Sequence, residues 1–268
     1  MKLRDWIPLE KLDWNWLSIN PSPGAIHLLE QNPDNICWCF LSENPNAIHI
    51  LEKNPENINW SWLSNNPNPG AINLLEQNPE EIFWEGLSEN PGAIELLEQN
   101  PEEIFWGGLS CNPNAIHLLE KNPEKISWSF LSKNPSAIHL LEKNPEKINW
   151  YFLGLNPNAI HLIAKNLDKI DWSNVSSNPN ALPIIEKNLD KVDWNGLSCN
   201  PNAIHLLEKN PEKINWWYLS HNPSIFEEDY QTLSKERSDL LREKLMEKTW
   251  HPKRFRHWCL DTDDEFHL

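Results

Sequence analysis

The chain has little glycine (8 of 268 residues), only five cysteines and two methionines. It has no apolar run approaching the ~18 residues of a membrane-spanning helix, so no membrane partner is expected. The opening Met1-Lys2-Leu3-Arg4-Asp5-Trp6 lacks the apolar stretch of a secretory signal. Cys37, Cys39, Cys111, Cys199 and Cys259 are odd in number and scattered, and Cys37-Trp38-Cys39 lacks zinc or redox spacing. An intracellular, reducing compartment is therefore the expectation. A glycine-rich phosphate loop, a His-Glu-x-x-His pair and a nucleophile elbow are all missing, so no catalytic residue, cofactor or metal site is expected. Bases are scarce in the first half. Residues 1–110 hold 17 Asp/Glu against 4 Lys/Arg, residues 111–222 hold 11 of each, and residues 223–268 hold 11 acids and 8 bases, which together make the net charge of −16. Phosphate binding needs a basic stripe, so the acidic body argues against a nucleic-acid partner.

What the chain does have is 16 tryptophans and 22 prolines. Ten of the tryptophans form a ladder: Trp14, Trp38, Trp60, Trp84, Trp106, Trp128, Trp150, Trp172, Trp194 and Trp216. The spacing is 22 residues except for two steps of 24, each caused by an insertion ending in Pro-Gly (Pro23-Gly24 and Pro69-Gly70). Fixed self-similarity of this length is the signature of a stacked repeat architecture. Within one copy, proline disfavours helix at the preceding Asn and suits the first position of the next helix, so each Asn-Pro pair stops one helix and starts another. Ala115, Ile116, Leu118 and Leu119 have helical spacing, which predicts a helix A of about nine residues over Pro113–Lys121. The residue before the ladder Trp is an N-cap type in seven copies (Asp13, Asn59, Ser127, Asn149, Asp171, Asp193, Asn215), which predicts a helix B through Leu131 and its equivalents. A strand at Ile-Asn-Trp, as in horseshoe repeats, is the alternative.

The expected fold is all-α: an α-solenoid of about ten 22-residue two-helix repeats with N- and C-terminal caps. Residues 1–19 form the N-terminal cap and half repeat, 20–222 the array, and 223–268 a capping helix with a basic-aromatic tail. The capping helix is expected from Ser224 to about Lys248, with Phe226, Tyr230, Leu233, Leu240, Leu241, Leu245 and Met246 at helical spacing. Helices stacked about 8–10 Å apart would give an open array on the order of 90 Å long, monomeric or joined in pairs through an end cap. The ladder indoles are expected inside the spine, where Trp128→Ala would cost about 3–5 kcal/mol.

The tandem Leu131-Ser132-Lys133-Asn134-Pro135-Ser136-Ala137-Ile138-His139-Leu140-Leu141-Glu142-Lys143-Asn144-Pro145-Glu146-Lys147-Ile148-Asn149-Trp150 resembles uncharacterised Asn-Pro/Trp short tandem-repeat proteins of giant DNA viruses of amoebae. The likeness covers about residues 5–222. The segment Trp250-His251-Pro252-Lys253-Arg254-Phe255-Arg256-His257-Trp258-Cys259-Leu260-Asp261 is similar to an ending common on proteins of such viruses. The resemblance implies a viral origin and a helical repeat fold, and carries over no active-site residue. The chain departs from the pattern at Leu167 and Leu189, where the second proline is missing, and at Pro183 and Ala164, so the eighth and ninth repeats are expected to be less regular.

Three sets of residues are candidates for partner contact. The block Glu80, Glu81, Glu85, Glu89, Glu95, Glu98, Glu102 and Glu103, with no base between residues 78 and 110, is either a solvated face or a dock for a basic protein. The position two after the ladder Trp varies (Trp16, Phe40, Trp62, Gly86, Gly108, Phe130, Phe152, Asn174, Gly196, Tyr218), and Phe130, Phe152 and Tyr218 are the aromatic candidates in the second half. The row His27, His49, His117, His139, His161 and His205 is a helix face, a contact stripe or a metal site, the last disfavoured because stacked equivalents lie about 10 Å apart. The invariant asparagines Asn20 through Asn222 either cap the turns beside their prolines or line a recognition surface, and capping is the leading expectation. A protein–protein interaction scaffold is the leading expectation, ahead of a structural virion component and a nucleic-acid-binding repeat protein.

Overall fold

A computed structural model describes residues 1–249. They fall into two compact units: Leu3–Phe226, which holds all ten repeats, and Met1–Lys2 with Glu227 onward. The repeat unit is all-α. Its ten B helices are Trp14–Ile19, Trp38–Glu43, Trp60–Leu63, Trp84–Glu89, Trp106–Cys111, Trp128–Lys133, Trp150–Leu153, Trp172–Ser177, Trp194–Cys199 and Trp216–Leu219. Its nine A helices are Pro23–Gln31, Ile48–Leu51, Pro69–Gln77, Ile94–Gln99, Ile116–Lys121, Ile138–Lys143, Ile160–Lys165, Leu182–Ile185 and Ile204–Glu208. Most A helices are shorter than the expected nine residues. Asn112 caps the backbone N–H of Asn114, and Ala115 sits at φ −95°, ψ 6°, so a turn uses up the first residues after proline. The nine-residue helices occur only at the two insertions, where Ser22 and Asn68 become caps with Pro at the first position.

Six of the seven proposed caps before the ladder Trp accept a backbone N–H; Ser127 does not. No strand forms at Ile-Asn-Trp: a 3-10 turn at each Pro-Glu-Lys or equivalent, such as Pro123–Lys125 and Pro145–Lys147, passes through two extended residues into the Trp that opens helix B. At Leu167 and Leu189 no 3-10 helix forms, in line with the lost proline, although Lys169 and Lys191 still donate to Asn166 and Asn188.

The deepest core is aliphatic. Leu131 and its equivalents in helix B, Ala137 and its equivalents at or beside the start of helix A, and Leu141 and its equivalents in helix A are fully buried. The ladder indoles are only half-buried and pack against that core from its edge, which corrects the expected interior spine. An indole that keeps one edge in water relaxes and rehydrates on truncation more readily than a sealed leucine pocket, so less of its transfer term is lost. Leu131→Ala is accordingly expected to cost about 3–4 kcal/mol and Trp128→Ala about 2 kcal/mol in urea unfolding; the reverse order would place the ladder back in the core.

Two polar ladders join the repeats. Each first-position Asn is buried and donates its amide to two carbonyls of the preceding repeat: Asn134 to Ser110 (3.0 Å) and Asn112 (2.9 Å), Asn156 to Ser132 (3.0 Å) and Asn134 (2.7 Å). Its oxygen meanwhile caps the turn behind it, as Asn134 does for the Ser136 N–H at 2.9 Å. Capping was expected; the link between repeats was not. Each buried Ser at the end of helix B donates to the carbonyl four residues back and accepts the N–H before the next ladder Trp, as Ser132 does with Trp128 and Asn149. Gly154 replaces this serine once, where an added Cβ would lie 2.9 Å from the Cβ of Asn174.

Both ladders close on themselves. Asn20 donates to Ser220 (2.9 Å) and Asn222 (3.1 Å), the carbonyls of the tenth repeat, and Ser220 accepts the Asp13 N–H at 2.8 Å. The repeat unit is a closed ring, and the expectation of an open array on the order of 90 Å is corrected. A per-repeat rotation that averages about 36° returns the tenth copy to the first.

The seam is a composite repeat. After Asn222-Pro223 no A helix follows; a 3-10 turn, Pro223–Ile225, leads into a two-residue strand β2 (Phe226–Glu227), which pairs with β1 (Lys2–Leu3). The N-terminal segment supplies the second half, with 3-10 turn Leu9–Lys11 and buried Ile7 and Leu12. Arg4 donates its N–H to Ile225 (3.0 Å) and its Nε to Ser224 (2.8 Å). Gly24, from the first Pro-Gly insertion, is needed here: a Cβ would stand 2.4 Å from the ring of Phe226. The ends of the array are thus sealed by each other, and the surfaces through which two chains would stack end to end are occupied.

In the second unit the helix runs over Tyr230–Thr249 rather than from Ser224. Leu240, Leu241, Leu245 and Met246 on it are 51–64% exposed. The basic-aromatic tail, Trp250–Asp261, lies outside the described residues.

Candidate partner-binding surfaces

Successive B helices pack closely, and in a closed ring the layer with the shortest step lies at the smallest radius. Ten helices about 8–10 Å apart close a circle of roughly 13–16 Å radius, so the B helices form the inner wall. Positions three and four after the ladder Trp are buried, and helical geometry sends positions two and five to the opposite side, toward the ring axis. The variable position therefore lines the inner face.

The aromatics on it form two arcs. Trp16 stacks on Phe40 at 5.5 Å and Phe40 meets Trp62 edge-on at 5.0 Å, while across the seam Trp16 lies 6.4 Å from Tyr218 and 4.6 Å from Trp217. Phe130 and Phe152 stack at 5.8 Å in the second arc, with Tyr151 beside Phe152. Glycines and Asn174 separate the arcs, and two of those glycines have packing reasons: a Cβ at Gly196 would meet the Ser173 carbonyl at 2.4 Å, and one at Gly108 the Glu85 carbonyl at 3.1 Å. Beside Gly196 opens a polar notch of ≈ 330 Å³, lined by Ser173, Asn174, Ser177, Asp193, Asn195, Cys199 and Tyr218.

Position five carries the inner charges. Glu89 reaches past one repeat to Lys133 at 3.7 Å, over Cys111. Burial, and secondarily Glu89, raises the Glu43 carboxyl above its ordinary value, while burial lowers His221. Burial also pushes the Cys111 and Cys199 thiols up to about 11, so both stay protonated and unreactive at neutral pH.

The acidic block is not one surface. Glu85 and Glu89 belong to an inner helix, Glu95 and Glu98 to an A helix, and Glu80, Glu81, Glu102 and Glu103 to exposed 3-10 turns between them. Sequence proximity joined side chains that the two-helix repeat sends to different layers.

The histidine row lies on exposed A-helix faces. His49, His117, His139, His161 and His205 each contact a Glu of the preceding repeat at 2.8–3.3 Å (Glu30, Glu98, Glu120, Glu142, Glu186). Both partners are about half exposed, so each pair contributes little. Among the described residues no group of three or more His, Cys, Asp or Glu is placed to hold a metal ion. Among them, too, no helix is long and apolar enough to cross a membrane.

Ring and surfaces together define a class, the closed α-solenoid repeat protein. Comparison with protein-family models, with curated proteins and with solved structures finds no match.

Proposed function

We propose that the protein is a non-enzymatic protein–protein interaction scaffold, with its inner face as the contact surface and a basic protein as partner. The observation that carries this reading is the division of labour within the repeat. Asn, Leu and, with one exception, Ser hold the ring at nearly every copy, while the inward-facing second position changes from Trp to Gly to Tyr and leaves its aromatics partly accessible. Residues released from a packing rule carry specificity, and aromatic anchors supply most of the energy in protein interfaces. The acidic half supports a basic partner through steering that weakens with salt. The resemblance to repeat proteins of giant viruses supports action in infected cells.

The test is affinity capture from such cells by the wild-type chain and by a Phe130→Ala/Phe152→Ala/Tyr218→Ala variant of unchanged circular dichroism. We expect a partner recovered with the wild type to be depleted at least about tenfold with the variant, the effect of one strong anchor or a few weaker ones. Equal recovery would remove the inner face from consideration.

A further inference from the structure

The ladder tryptophans are not equally covered. In six repeats the third residue before the ladder Trp is a lysine lying over the indole of the repeat before it: Lys11 over Trp216, Lys125 over Trp106, Lys147 over Trp128, Lys169 over Trp150, Lys191 over Trp172 and Lys213 over Trp194, at 4.3–5.7 Å from the ring centroid. These distances are those of a cation held by an aromatic quadrupole. The Lys11 pair is part of the seam, so the covered arc runs from Trp106 to Trp216 and ends there.

The other four are consecutive. At the positions that would cover Trp14, Trp38, Trp60 and Trp84 stand Asn35, Asn57, Glu81 and Glu103, and among the described residues no ammonium or guanidinium lies over these rings. The residue before each is an acid: Asp34, Glu56, Glu80 and Glu102, all exposed. Between Lys11 and Lys121 the sequence has a single base, Lys53. The same pocket that takes a lysine from this chain on six repeats is thus left without one on four neighbours; the acid before that position is common to all ten repeats, and Glu81 and Glu103 add a second carboxylate on two of the four.

We infer that the arc Trp14, Trp38, Trp60 and Trp84 is a docking site for a basic, extended segment of another protein, whose Lys or Arg side chains take the places that the chain's own lysines fill elsewhere. This rests on the scaffold reading but uses a different surface, so each stands or falls by its own variants. The step between repeats, about 8–10 Å at the inner wall and longer outside it, is spanned by three to four residues of an extended segment rising ~3.1–3.4 Å each. A cation at every third or fourth residue would meet one indole after another. Exposed carboxylates beside each ring favour the same charge sign, whereas they would repel phosphate.

The experiment titrates the full-length chain with a twelve-residue peptide, Lys-Pro-Ser repeated four times, followed by indole fluorescence and calorimetry at about 0.1 M salt, where the Debye length is about 10 Å. The decisive variant is Glu81→Lys with Glu103→Lys, which installs the lysines normal to the other repeats and so covers Trp60 and Trp84 from within. A charge-matched control carries Glu85→Lys with Glu95→Lys. Binding by the wild type, a loss of about tenfold in the first variant and less than about threefold in the control, is the expected result. No binding to the wild type, or equal weakening in both variants, would overturn the assignment. Loss in the Phe130→Ala/Phe152→Ala/Tyr218→Ala variant instead would transfer the basic segment to the inner face and leave the scaffold reading in place.

Discussion

Asn134→Ala is expected to lower the unfolding free energy by about 3–5 kcal/mol, a large effect that it shares with the other asparagines of the buried ladder. The side chain is fully buried and makes three hydrogen bonds, two as donor to the Ser110 and Asn112 carbonyls and one as acceptor from the Ser136 N–H. Its removal leaves all three backbone groups without that partner where water does not reach, at about 1–3 kcal/mol each before relaxation. Asn134→Asp should be at least as harmful, since a carboxylate cannot donate and must be buried charged or protonated. Asn114 provides the internal comparison. It also links repeats, to Pro91 at 2.9 Å, but is exposed, and Asn114→Ala should cost under about 1 kcal/mol because water replaces the lost partner. Equal losses at the two sites in urea titration would show that the buried ladder is not what holds the repeats in register.

Deletion of residues 1–12 is expected to open the ring. The segment supplies buried Ile7 and Leu12, both Arg4 bonds to the tenth repeat and Lys11 over Trp216. Burial of the two aliphatic side chains alone contributes about 3–6 kcal/mol, comparable to the whole margin of a folded domain. What remains at the seam is the Asp13 N–H on Ser220, Asn20 with its two carbonyls, and the contacts of Trp16 with Trp217, Tyr218 and His221. Small-angle scattering should show a larger radius of gyration than for the full chain, with a lower unfolding midpoint. An unchanged radius would mean that the asparagine and aromatic contacts suffice to hold the ends. In the intact chain Asn20→Ala should cost as much as Asn134→Ala, because the seam bond is the same bond as every other in the ladder.

Much of this was visible in the chain. The 22-residue period, the Asn-Pro punctuation, the paired helices and six of seven caps before the ladder Trp follow from local rules that act within a few residues: the fixed φ of proline, the missing N–H and the reach of a short polar side chain. Closure also left a trace. The half repeat Glu10-Lys11-Leu12-Asp13-Trp14 at one end and the unpaired Asn222-Pro223 at the other are complementary parts of one copy. Each end by itself reads as a cap; only together do they read as a seam. The constancy of Asn20 through Asn222 held a second clue, since serine or aspartate would cap as well, and of the three only the amide can cap while donating two hydrogen bonds.

The candidate contact residues were legible as a list and not as surfaces. Glu85 and Glu95 are ten residues apart, yet one lies on an inner helix and the other on an A helix, because a turn between them reverses the chain. Trp84 and Glu103 are nineteen apart, yet belong to neighbouring places in adjacent repeats, as Lys125 and Trp106 do.

The sequence alone determined the unit: where each helix begins and ends, which side chains are apolar enough to be buried, and that copies must stack because helices of four to nine residues do not persist singly. The tertiary structure decided the curvature. A rotation of about 36° per step arises from small differences between how closely inner and outer layers approach, summed over many van der Waals contacts, and no residue type encodes it. Ten such steps bring Asn20 to Asn222, turn the variable position toward an axis, and set four uncovered indoles side by side on an acidic arc.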